Sequence, residues 1–65
     1  MIRHDTMPKS GQFVAIWNFN GVPWSTTMRW HDGVLERYSE DDDDYVNVDE
    51  DHLAVVDPIY YTTED

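Results

Sequence analysis

Eight of the twelve residues from position 40 to position 51 are carboxylic acids: Glu40, Asp41, Asp42, Asp43, Asp44, Asp49, Glu50 and Asp51. Clustered carboxylates offer three kinds of chemistry: cation binding, acid/base work and recognition of basic partners. Calcium requires a definite order, with alternating oxygen ligands, glycine sixth and glutamate twelfth in the loop. Counted from Asp41, the sixth position is Val46 and the twelfth is His52, so the pattern fails. No pair among His4, His31 and His52 has a ligand spacing such as H-x3-H, and solvent-facing histidines are the simpler reading. The chain has no cysteine, hence no disulfide and no thiolate metal site. Ser10, Ser25 and Ser39 lack a nucleophile-elbow context, and the three glycines are scattered over turns instead of forming a phosphate-cradling loop. The expectation is a protein that is not an enzyme and carries no cofactor or metal. What the acids leave open is a surface for basic partners, or a solvated loop that keeps the chain in solution.

Charge is divided unevenly along the chain. Residues 1–31 carry a net +2 and residues 32–65 a net −12, giving −10 in all. Such a chain repels nucleic acid and anionic membranes and attracts basic surfaces. Direct nucleic-acid binding is therefore not expected, although three Trp, four Tyr and two Phe could stack on bases. No stretch has the apolar length of a signal peptide or a membrane span, so a cytoplasmic location is expected. Sixty-five residues make one domain, which buries only about 60% of its unfolded surface. Without disulfides, aromatic packing or a homodimer would have to supply the missing stability.

The elements that must hold these acids begin after an N-terminal arm, residues 1–10, which lacks periodicity and ends in turn residues. Residues 11–62 read as a single small β domain and residues 63–65 as a tail. Phe13, Ala15, Trp17 and Phe19 alternate with Val14, Ile16 and Asn18, the period of a strand. Asn20-Gly21 and Asp32-Gly33 are two-residue hairpin turns of the kind that needs positive φ at both positions. The first turn sets Phe19 opposite Val22, Trp17 opposite Trp24, Ala15 opposite Thr26 and Phe13 opposite Met28. The second sets His31 opposite Val34, Trp30 opposite Leu35 and Arg29 opposite Glu36, an opposite-charge pair that the register delivers unasked. Continued, it places Tyr38 opposite Thr27. The third strand runs out at Ser39, before it reaches Pro23, whose missing donor is then harmless.

Beyond the acids, Tyr45-Val46-Asn47-Val48 suits a short strand. His52 to Val56 is a strand or one helical turn: Asp49 could cap a helix, while Val55-Val56 and Pro58 would keep it short. Ile59-Tyr60-Tyr61 is a last strand. The fold class expected is all-β with room for one short helical turn: a small antiparallel meander, SH3-like barrel or half-barrel. Trp17, Trp24 and Trp30 are expected in the core, because a sheet this small must bury its best apolar residues.

The acidic run lies inside the domain, where concentrated like charge costs stability, and this favours a binding role over a solubilising one. In an extended segment residues rise about 3.3 Å each, close to the phosphate spacing of about 3.4 Å along one strand of duplex DNA. In size, charge, lack of cysteine and runs such as residues 39–44 and 49–51, the chain resembles small acidic phage or mobile-element proteins that inhibit host defence or nucleic-acid enzymes. These include anti-restriction and anti-CRISPR proteins, several of them DNA mimics. Pro8-x-x-Gly11 ahead of a strand, with the later Asp32-Gly33 turn, is also similar to short prophage proteins. The resemblance implies an inhibitor of a basic nucleic-acid-binding protein (a nuclease, helicase, polymerase subunit or defence complex), acting in the host cytoplasm. The residues expected to make contact are Glu40, Asp41, Asp42, Asp43, Asp44, Asp49, Glu50 and Asp51, with Tyr45 and Tyr38 as apolar anchors. The alternative is a non-catalytic SH3-like module that dimerises or docks through its aromatic face.

Overall fold

The structure is a computed structural model that describes residues 1–63; the side chains of His52 and Ala54 lie outside that description, as do residues 64–65. Its strands are β1 (Ile2–His4), β2 (Gln12–Phe19), β3 (Val22–His31), β4 (Val34–Ser39), β5 (Asp44–Asn47) and β6 (Ile59–Thr62), with one helix, α1 (Glu50–Val56). All pairings are antiparallel, in the order β1-β6-β2-β3-β4-β5. β1 and β5 are the two edges, so the sheet is open and does not close into a barrel.

The central meander follows from its turns. Asn20 and Gly21 have φ of 53° and 79°, Asp32 and Gly33 of 52° and 75°. Left-handed conformations at both central residues match the twist of the flanking strands. The register is the one the turns dictate, with Trp17 opposite Trp24 and Phe13 opposite Met28 in the first hairpin. In the second, Trp30 faces Leu35 and Arg29 faces Glu36.

Period two then sorts the side chains. Phe13, Ala15, Met28, Leu35, Leu53 and Tyr60 form the buried core, and the Phe13 and Tyr60 rings meet edge-on at 5.7 Å between centroids. Met7, Trp17, Trp30, Val48 and Val56 pack around them. Trp17 and Trp30 thus flank the core half-buried, whereas Trp24, expected inside, is 53% exposed. The sheet face outruns its cover there, since Phe19 and Val22, next along the hairpin, are exposed too.

Beyond the extended N-cap Asp49, residues 50–56 resolve as a helix. The Asp49 carboxylate accepts from the Asp51 N–H at 3.0 Å, and Glu50 and Asp51 occupy the first turn, where the helix dipole favours negative charge. Asp57, at φ 49°, closes the far end by donating its N–H to the Leu53 carbonyl at 2.9 Å, and Pro58 stops propagation. α1 joins β5 to β6 and sends Leu53 into the core.

The leading residues are more than an arm. Ile2, Arg3 and His4 pair with Thr62, Tyr61 and Tyr60, and His4 Nε2 lies 2.9 Å from Thr62 Oγ1. The Trp30 indole N–H donates to the Pro8 carbonyl at 2.7 Å, which holds Met7 against the core. A three-residue strand has no alternation to read, which is why this segment looked unstructured from sequence.

Candidate functional site

The acids enter through the β4–β5 hairpin. β4 and β5 pair Glu36 with Asn47, Arg37 with Val46, Tyr38 with Tyr45 and Ser39 with Asp44. Residues 40–43 form the turn between them, and Asp43 carries the positive φ of 49° that closes it. Aspartate tolerates this conformation better than most residues. The extended run expected from sequence therefore does not exist: only Asp44 belongs to a strand. A row of carboxylates spaced like phosphates is not formed, because turn closure curls the run back on itself.

Within the loop the acids divide into two kinds. Asp42, Asp43 and Asp44 are each hydrogen-bonded. The Ser39 hydroxyl, buried beneath the turn, donates to Asp42 Oδ2 at 3.1 Å and accepts from the Asp42 N–H at 3.4 Å. The Tyr38 hydroxyl donates to Asp43 Oδ1, and Asp44 Oδ1 accepts from the Tyr45 N–H at 2.8 Å. Among the described residues, Glu40 and Asp41 have no such bond, so their carboxylates keep their full capacity for an outside donor. All five are exposed.

Tyr38 and Tyr45 brace the loop from the outer face of the sheet. Their rings meet edge-on at 5.6 Å, and the Arg29 guanidinium lies over Tyr45, 3.8 Å from the ring centroid. Arg29 Nε also donates to Glu36 Oε1 at 2.8 Å, and Gln12 Nε2 donates to the Tyr45 hydroxyl at 3.4 Å. Both tyrosines are half-buried and already engaged, more frame than free anchor. The hydrogen bond to Asp43, with lesser help from burial and the nearby Glu40 and Asp44 charges, raises the Tyr38 phenol above its ordinary pKa. Burial does the same to Tyr60, with a contribution from Asp57.

Sequence continuity missed a cleft. The β3–β4 ladder extends only from His31–Val34 to Met28–Arg37. A full Tyr38–Thr27 rung is not formed; on the other side of β4, Tyr38 lies opposite Tyr45. A longer ladder would have run toward Pro23, which has no N–H to give. β3 and β4 diverge beyond Met28, and the gap opens into a cleft of about 1000 Å³. Its walls include Trp17, Trp24 and Met28 from the sheet, Leu53 and Val56 from α1, and Glu40, Asp41 and Asp49. Arg37 is the one base among the described lining residues. The cleft thus brings the two unbonded loop acids into the same space as the helix cap. Glu50, in contrast, lines a separate hollow of about 350 Å³ with Met7, Pro8, Lys9 and Trp30, and Asp51 is exposed on α1. The signal for the cleft was present in Pro23: a proline at the second position of β3 marks a stretch of edge without a neighbour.

The two histidines whose side chains are described, His4 and His31, lie apart; that of His52 is outside the description. His4 bonds Thr62, and His31 Nε2 lies 3.5 Å from Asp32 Oδ2 at an exposed turn. Among the described residues no three of His, Asp and Glu are placed to share a metal ion, and no helix is long and apolar enough to cross a membrane. Compared with protein-family models, curated proteins and solved structures, the chain finds no match.

Proposed function

We propose that this protein is a non-catalytic acidic binding module that occupies the basic, nucleic-acid-binding surface of a partner protein, as phage-encoded DNA mimics do. The observation that carries the reading is the β4–β5 loop: five exposed carboxylates on a turn fixed by Tyr38, Ser39 and the β5 pairing. A flexible solubilising loop needs no such bracing. With the turn curled, the likeness to DNA lies in density of charge and not in phosphate spacing. Long-range attraction from a net charge of −10 would speed encounter with a Lys/Arg-rich surface and weaken as salt rises.

The test is affinity capture at low salt from a bacterial lysate. Retained nucleic-acid-binding proteins should elute on a salt gradient and be displaced by duplex DNA. Replacing Glu40→Gln and Asp41→Asn should weaken capture roughly 1.5- to 5-fold per charge, the range for exposed ion pairs. Affinity that is the same at low and high salt sinks the reading.

A second reading, docking or dimerisation through the aromatic face, is favoured by Phe19, Val22 and Trp24, exposed by 60%, 52% and 53% at the tip of the β2–β3 hairpin. It expects association to survive neutralisation of the acids and to fail when Trp24 is replaced.

A further inference from the structure

The cleft contains an unused strand edge. In a two-residue hairpin the residues flanking the turn exchange hydrogen bonds, and the pattern then alternates. Phe19 and Val22 flank the first turn, so Trp24, Thr26 and Met28 direct their backbone N–H and C=O toward β2. Pro23, Ser25 and Thr27 direct theirs the other way, where Arg29 and His31 find β4. The last rung, Met28–Arg37, is closed by the Thr27 carbonyl accepting from the Tyr38 N–H, so beyond it the Thr27 N–H, the N–H and C=O of Ser25 and the C=O of Pro23 open on the cleft. The free edge, residues 23–27, is about 17 Å long at ~3.4 Å per residue. Beside it lies exposed apolar surface, including Trp24, and the rim carries Glu40, Asp41 and Asp49.

We infer that this cleft takes up an extended basic peptide segment of the partner, which adds to the free edge of β3 as a further strand. The inference rests on the reading of the chain as a binder of basic proteins and names the element it would grip. Backbone hydrogen bonds to Ser25 and Thr27 hold the segment, as strand addition does elsewhere. Alternate apolar side chains cover the exposed Trp24 on the core side. Lysine or arginine side chains reach Glu40 and Asp41, the two loop carboxylates with no internal bond. Charge selects this occupant over a second copy of the chain. Two copies joined edge to edge would oppose their own acidic rims, each in a molecule of net charge −10.

The probe is a seven-residue capped peptide alternating lysine and valine, compared with a peptide of the same composition in two blocks, four lysines then three valines. Amide exchange of the full-length protein is followed residue by residue by NMR. The alternating peptide should bind at least tenfold more tightly than the block peptide and slow exchange at the Ser25 and Thr27 amides. N-methylation of its alternate residues in one register should abolish binding, and in the other register leave it intact. Trp24→Ser, at an exposed position, should weaken binding without unfolding the protein.

Equal, salt-sensitive binding of both peptides, with no protection at Ser25 and Thr27, overturns strand addition while leaving the acidic-surface reading standing. Failure of both peptides to bind overturns the proposal, and partner capture then decides the broader reading separately. Protection of Ser25 and Thr27 without peptide, growing with protein concentration, also overturns it, because a second copy would then hold the edge.

Discussion

At the scale of single residues, most of the acidic run does structural work. Asp42 is tied to Ser39, Asp43 to Tyr38, Asp44 to the Tyr45 amide and Asp49 to the helix start, which leaves Glu40 and Asp41 as the loop carboxylates free for outside donors among the described residues. The difference is measurable at Tyr38. Its hydroxyl donates to a carboxylate, so ionising the phenol would set two negative charges together, and the pKa lies above 10.0. Asp43→Asn keeps an acceptor and a residue tolerant of positive φ while removing the charge, and ultraviolet titration should show the Tyr38 pKa falling toward its ordinary value. An unchanged value would mean that the contact does not persist in solution. The linkage has a definite sign. Tyr38 and Tyr60 both have raised pKa values when folded, so their contribution to stability is complete below pH 10 and is lost as pH climbs through the folded values.

At the scale of elements, the helix is where sequence and structure differ most in legibility. Asp49, followed by two acids, announced a helix start, yet Val55-Val56 suited a strand equally well; local propensity does not decide between them. Tertiary contact does, since Leu53 reaches the core from a helix. Asp49→Ala should lower stability by about 1 kcal/mol, read by thermal or urea melts, because a capped N–H loses its acceptor. A loss indistinguishable from zero would remove the cap from the account. The hairpins were readable to the residue because Asn20-Gly21 and Asp32-Gly33 admit few turn types, and turn type fixes register. β1 was unreadable because it exists only through its pairing with β6, far along the chain. The candidate site shows the same split. That residues 40–44 would be exposed follows from their charge alone. Which of them are bonded depends on how the turn closes, and the cleft depends on where two strands part; neither leaves a trace in periodicity beyond Pro23.

At the scale of the whole molecule, concentrated charge on a minimal core sets the behaviour. Six residues make up the buried hydrophobic core among the described residues, and a domain this small rarely gains more than about 3–5 kcal/mol from a single core. Repulsion among fourteen acids opposed by four Lys and Arg acts against that margin. Sodium chloride should therefore stabilise the fold: raising it from 0.01 M to 0.5 M should increase the Tm by several degrees, since a 1 kcal/mol gain moves a domain of this size by roughly 4–8 °C. Calorimetry checks this, and a Tm that falls steadily with salt would show that repulsion is not what limits stability. The same screening weakens association with a basic partner, so low salt favours binding and high salt favours the free fold.

The pairing of Ile2 with Thr62 has a mechanical consequence. Both ends of the described chain leave the sheet at the same end of an antiparallel pair. A force drawing those ends apart loads β1 and β6 in sequence, beginning at Ile2–Thr62 and moving toward His4–Tyr60, so their bonds break one after another instead of sharing the load. Once β1 is free, the force meets Val14–Tyr61 and then Ile16–Ile59 in the same geometry. Whatever its stability in solution, the molecule would thus yield readily to a machine that pulls polypeptides from their ends.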